Sequence, residues 1–154
     1  MSANILAVVA VAILSTQASG GAWRVVSLGE TSAFAVDAAS ITTEGDWRAG
    51  EVLLAGASSS PIADDFVLHF QADCPGNRIR QTRMAAWSRE GVLRGEAPAP
   101  DNPWAPISPG TAVESIALAL CEGVFMDDAP FARNHVEAAA RMRRGLDSMN
   151  AGAD

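Results

Sequence analysis

Residues 66–88 read FVLHFQADCPGNRIRQTRMAAWS. Two apolar-rich runs, 66–72 and 79–88, flank the cluster Pro75-Gly76-Asn77. Proline presets a turn torsion, and Gly and Asn tolerate left-handed backbone, so the chain reverses here and the runs pair antiparallel. In Arg78-Ile79-Arg80-Gln81-Thr82-Arg83-Met84 the polar side chains repeat at period two only as far as Thr82. One extra residue reverses the face each later side chain takes, so a bulge or strand end is expected near Thr82. Working outward, residues 23–27, 34–36 and 47–56 and the shorter Val92-Leu93 are also strand-like. Gly29, residues 57–65 and Arg89-Glu90-Gly91 supply turns between runs. Strands at this spacing describe an antiparallel meander. Asp37-Ala-Ala-Ser40-Ile41 reads as a tight connection in which Asp37 or Ser40 bonds nearby backbone.

Two helices follow. Residues 96–109 hold five of the eight prolines (Pro98, Pro100, Pro103, Pro106, Pro109), so an irregular extended connection pinned by Trp104 is expected. Thr111-Ala-Val-Glu114 is a capping-box pattern opening a helix that runs to Glu122, apolar nearly throughout and therefore buried on the sheet. Over residues 131–149, Val136, Ala139, Ala140, Met142, Leu146 and Met149 recur at helical spacing. Pro130 and the Asp127-Asp128 pair mark the start of this helix, where negative charge suits its dipole. The fold class is therefore α+β: an antiparallel β-sheet meander with a packed α-helix, plus a C-terminal amphipathic helix. The expected organisation is a signal peptide over residues 1–20, a sheet-plus-helix domain over 21–125 and a helical tail over 126–154. That tail docks on its own domain or on a partner.

Residues 5–14 (ILAVVAVAIL) form an unbroken apolar run. Ten helical residues cover about 15 Å, half of a hydrocarbon core, so no stable span is expected once the leader is processed. The run fits the core of a secretory signal, with Ala18, Ser19, Gly20 and Ala22 offering a cleavage site near Gly20. Only the terminal amine supplies the basic leader charge, and no Cys follows the run to accept a lipid. The competing reading is an apolar first helix of a cytoplasmic domain. The compartment decides Cys74 and Cys121: a disulfide in a periplasmic or secreted protein, two buried thiols in a cytoplasmic one.

Composition narrows the chemistry. The chain has 154 residues, 49% of them apolar, with a formal net charge of −7. That charge argues against nucleic acid as a partner. All 11 basic residues are Arg; there is no Lys and no Tyr. Lys Schiff-base chemistry and Lys-bearing phosphate loops are excluded. There is no Gly-x-Ser-x-Gly elbow and no Cys-x-x-Cys pair. His69 and Asp73, four residues apart on one strand face, make half a metal site at best. Asp127, Asp128 and His135 form a second incomplete ligand set, more simply read as a helix start. No metal, no cofactor and no catalytic residues are expected. Arg78, Arg80, Arg83, Arg89 and Arg94 concentrate basic charge on one hairpin of an acidic protein. They are the candidate contact surface for an acidic polymer, against the plainer reading of a solvated face that resists edge pairing. Arg141, Arg143 and Arg144 suit the dipole of the tail helix or an anionic lipid.

The order of landmarks resembles a known family. Trp23-x-x-Val26 is followed by Asp37-x-x-Ser40-Ile41, Cys74 after a strand, Trp104-x-Pro106-Ile107, a Pro109-Gly-Thr111 helix start and Cys121 ending the helix. This is similar to the surface-adhesin protein E-like bacterial envelope domains, over roughly residues 22–122. The resemblance implies an antiparallel sheet with a helix on it, export, a Cys–Cys bond and adhesion to host matrix components. The chain departs from the lipoproteins common in that family by lacking a lipid-accepting Cys.

The resulting expectation is a non-enzymatic exported envelope protein. It acts as a binding, adhesion or interaction module toward a cell-surface polymer or an envelope protein. Two alternatives stand beside it: a small periplasmic hydrolase using carboxylate or Ser chemistry, and a helper subunit binding a partner through its C-terminal helix.

Overall fold

A computed structural model describes residues 21–61, 64–99 and 102–152. The expected signal peptide, 1–20, lies outside them. Eight strands form one antiparallel sheet: β1 (Trp23–Leu28), β2 (Ser32–Asp37), β3 (Thr42–Glu44), β4 (Trp47–Gly56), β5 (Asp65–Asp73), β6 (Arg78–Trp87), β7 (Leu93–Pro98) and β8 (Ala105–Pro106). The path is β1-β2-β4-β5-β6-β7, with β3 on β4 and β8 on β6. Two helices complete the fold, α1 (Ala112–Glu122) and α2 (His135–Ala151). The α+β meander read from the sequence is the observed architecture.

Strand alternation assigns the layers. Phe34 and Val36 of β2, Val52 and Leu54 of β4, and Leu68 and Phe70 of β5 join Ile116 and Leu120 of α1 in one apolar cluster. The intervening residues, Ala33 and Ala35, Leu53 and Ala55, and Val67, join Ala138, Ala139, Met142 and Leu146 of α2 in another. Successive side chains on a strand point to opposite faces, so each face of the sheet carries one helix. The tail helix thus docks on its own sheet. Gly50 lets α1 approach β4: a Cβ there would lie 2.8 Å from Leu120 Cδ2.

The capping box forms as read, with Glu114 N–H donating to Thr111 Oγ1 and Gly110 N–H to the Glu114 carboxylate. Gly123, at φ 70°, ends α1 in the left-handed position. Cys74 and Cys121 are disulfide-bonded, tying the end of β5 to the end of α1. Asp37 accepts from Ala39 N–H, and Ser40 donates to the Asp37 carbonyl while accepting from Glu51 N–H.

Three expectations need correction. The proline-rich stretch is not wholly irregular: β7 extends to Pro98, and β8 forms at Ala105–Pro106. Both lie beside β6 at the margin of the sheet, where a missing N–H leaves no ladder partner unmet. Helix α2 begins at His135 rather than 131, capped by the Asn134 side chain accepting from Glu137 N–H. Asp127 has a different task from starting that helix. Its carboxylate accepts from Val25 N–H and from Arg24 Nε, both at 3.0 Å. Met126 N–H donates to Val25 O, Phe131 N–H to Trp23 O and Trp23 N–H to Ala132 O. The connection from α1 to α2 thereby covers the open edge of β1.

Candidate binding surface

The strand slip at Thr82 decides where the arginines go. Across the β5/β6 pair, Asp73 opposes Arg78, Gln71 opposes Arg80 and His69 opposes Arg83, while Phe70 opposes Gln81. Thr82 is the extra residue on β6, a bulge where the sequence pattern breaks. Without it Arg83 would turn to the α1 face. With it, Arg78, Arg80 and Arg83 all share the α2 face of the sheet. Helix α2 covers the Ala33, Leu53 and Val67 part of that face, and the arginine part stays open. Arg78 and Arg83 keep 49% and 47% of their side-chain surface exposed.

Each arginine is held differently. Arg78 Nε donates to Asp73 Oδ2 at 2.7 Å, and Gly76 N–H donates to the other carboxylate oxygen. These two bonds hold the Asp73 carboxyl below the usual carboxylate range. Arg83 bridges Glu51 and Glu96, both at 2.8 Å. Arg80 Nε donates to Gln71 Oε1 at 2.9 Å, and its guanidinium lies 4.6 Å from the Trp104 ring and 5.0 Å from the Trp47 ring. The two indoles sit 5.2 Å apart, tilted by 60°. A cation over aromatic faces gains about 0.5–2 kcal/mol and is fixed in orientation. Trp104 therefore pins the proline-rich connection, as read, by stacking beneath Arg78 and Arg80.

The remaining expected contacts go elsewhere. Arg89 reaches toward the Ala57 carbonyl and the buried Asp65, away from this surface. Arg94 lies on β7, exposed along its length. Arg78, Arg80 and Arg83 thus share one face, Arg89 leaves it, and Arg94 stands at the register shift between β6 and β7. Arg143 is not a dipole or lipid contact, because it turns inward and pairs with the buried Asp65 at 2.5 Å, keeping only 12% of its own side chain exposed. Arg141 pairs with Glu137 on its own helix.

Both histidines have neighbours that sequence reading missed. His69 Nδ1 meets Thr82 Oγ1 at 2.6 Å. The His135 ring stacks on Trp87, centroids 4.4 Å apart, and burial pushes its pKa down. Burial pushes the Asp65 carboxyl up, against the pull of Arg143, Arg89 and His135. No hydrogen bond joins either imidazole to a serine among the described residues. Neither incomplete ligand set is assembled, since Asp73 is engaged by Arg78 and Asp127 by Arg24. Among the described residues no group of three or more His, Cys, Asp or Glu could hold a metal. A cavity of about 370 Å³ beside the disulfide is lined by Glu114 and Glu122. Eight helical residues separate these by about 12 Å along the axis, beyond the carboxylate spacing that glycoside hydrolysis uses.

A family model of surface-adhesin protein E matches residues 23–122, two-thirds of the chain. The chain belongs to that family. No curated protein and no solved structure matches it. Membership carries, at a coarse level, a surface adhesion or binding role and an exported or surface location. The match spans the sheet through β8 and α1, with the disulfide and the Arg–Trp surface, and stops short of α2. No helix among the described residues is long and apolar enough to cross a membrane. Trp47 and Trp104 were not read as part of a binding surface. Their only sequence signal is position: one opens a strand and the other sits among prolines that bring it back to that strand.

Proposed function

We propose that this surface-adhesin family member is exported to the periplasm or beyond after removal of a signal peptide near Gly20. There it acts as a non-enzymatic binding module toward a cell-surface polymer or envelope protein. Its contact surface is the open part of the sheet face, with Arg78, Arg80 and Arg83 beside Trp47 and Trp104. One observation carries this reading: the Thr82 bulge brings three arginines to one face, and α2 leaves that part of the face uncovered. The helper-subunit alternative is weakened because the apolar stripe of α2 is already covered by β2 and β4.

The test is binding of the purified, disulfide-bonded protein to intact cells and immobilised extracellular polymers. Replacing Arg78, Arg80 and Arg83 together by Ala is expected to abolish binding. Replacing Arg133 and Arg144 by Ala is expected to leave it intact. Unchanged binding by the triple variant would move the contact surface elsewhere.

A further inference from the structure

We infer that the Trp47–Arg80–Trp104 cluster is a subsite for one carboxylate-bearing sugar unit of an acidic carbohydrate chain. The inference deepens the proposed binding role and rests on it. Charge selects the ligand. Arg78 is engaged by Asp73, and Arg83 by Glu51 and Glu96. Arg80 has no acidic partner among the described residues. Its only hydrogen bond there is from Nε to Gln71, so its terminal nitrogens keep their donors available. The guanidinium is nonetheless fixed, with an indole on two sides. A planar, pre-oriented, uncompensated guanidinium matches one carboxylate through a bidentate bond.

The surroundings exclude other anions. Glu44 bonds the amide of Gln71, and Glu51 and Glu96 flank Arg83. A polyanion such as nucleic acid, or an anionic membrane, needs several unpaired cations at once, and this surface supplies one within a protein of net charge −7. A sugar ring presents an apolar C–H face together with hydroxyls. The partly exposed indoles offer flat apolar area for the first, and the Gln71 amide, which keeps a second donor and acceptor position beyond its bonds to Glu44 and Arg80, offers a planar polar group for the second. Together they describe a site for an acidic saccharide in which the carboxylate meets Arg80.

The test follows the four indole N–H signals by NMR while a tetrasaccharide bearing a single uronic acid, a glucuronosyl-xylotriose, is added to the disulfide-bonded protein. Its methyl ester, a neutral hexose tetramer and an Asp/Glu-rich peptide serve as comparison ligands. The signals of Trp47 and Trp104 are expected to move, while those of the buried Trp23 and of Trp87 stay. Esterification, which removes the ligand's charge, and Arg80→Lys, which removes the bidentate fork, are each expected to weaken binding at least about tenfold. Trp104→Ala is expected to weaken it comparably, and Arg144→Gln, on the exposed side of α2, by less than about twofold. Arg80→Lys keeps the charge, and its thermal melt checks that the fold is retained. No response to the glucuronosyl-xylotriose, an ester that binds equally well, or a peptide that binds as tightly overturns the inference. Each of these results leaves the wider binding role standing if wild-type protein still binds cells. Loss of that role would instead show in the cell-binding assay.

Discussion

Removing the Cys74–Cys121 bond should cost a large fraction of the protein's stability. The two cysteines are 47 residues apart. Opening a loop of that length returns conformational entropy to the unfolded chain, worth about 4 kcal/mol at 25 °C. Domains of this size are stable by about 5–15 kcal/mol, so the loss is a large fraction of the whole. With an unfolding entropy of about 2.1 cal/mol/K per residue over roughly 130 folded residues, the melting temperature should fall by about 10–15 °C. The native side gives little compensation. Helix α1 is otherwise held by Ile116, Ala117, Ala119 and Leu120 and by Arg48 Nε donating to the Leu120 carbonyl. The assay is urea unfolding of the oxidised protein against the reduced, alkylated protein and the Cys74→Ala/Cys121→Ala variant. Both open forms should unfold at lower urea, with a steeper denaturant dependence because the uncrosslinked chain exposes more surface. Midpoints that agree to within about 1 kcal/mol of stability would falsify the entropic account of the bond.

Three further outcomes follow from the buried side chains. Leu146 is fully buried beneath α2, and Leu146→Ala should cost about 3–5 kcal/mol in the same urea assay. Arg143→Met leaves Asp65 buried without its partner and should cost about 3–5 kcal/mol, whereas Asp65→Asn/Arg143→Met together should be near neutral; a double-mutant cycle without coupling would refute the pairing. Because burial holds His135 below its ordinary value of about 6.5, the unfolded chain takes up the proton first as pH falls below that value. Stability should therefore decline as pH drops from about 6.5 toward the depressed pKa, and His135→Phe should flatten that decline in thermal melts.

Much of the sheet was legible because its signals are local. The turn at 75–77, the alternation on β6 and the break at Thr82 each act within a few residues, and each appears where the pattern puts it. The capping box at Thr111 is equally local. What escaped reading is non-local. Asp127 and Val25 meet across 102 residues, Arg143 and Asp65 across 78, and no short pattern announces either pair. A pair of aspartates before a helix and an arginine within one have ordinary local explanations, which the tertiary structure overrides. The binding surface divides the same way. Its arginines were visible as a cluster, but the common face of Arg78, Arg80 and Arg83 and the departure of Arg89 depend on strand register and tertiary packing. Trp47 joins them through the β4/β5 register, and Trp104 through the β8 pairing that carries the proline-rich segment back along β6.

The helix on each face of the sheet has a consequence for synthesis. Ribosomes deliver β1 to β8 and α1 first, and with them a fold whose second face still shows Ala33, Ala35, Leu53 and Ala55 to solvent. That face closes only when residues 135–151 arrive. A nascent chain is thus held short of this compact state until residues 135–151 have been made, a condition that favours threading an unfolded polymer through a translocation pore. The same order makes the last helix a checkpoint: a message cut before Leu146 yields a sheet with one bare face, a target for quality-control proteases.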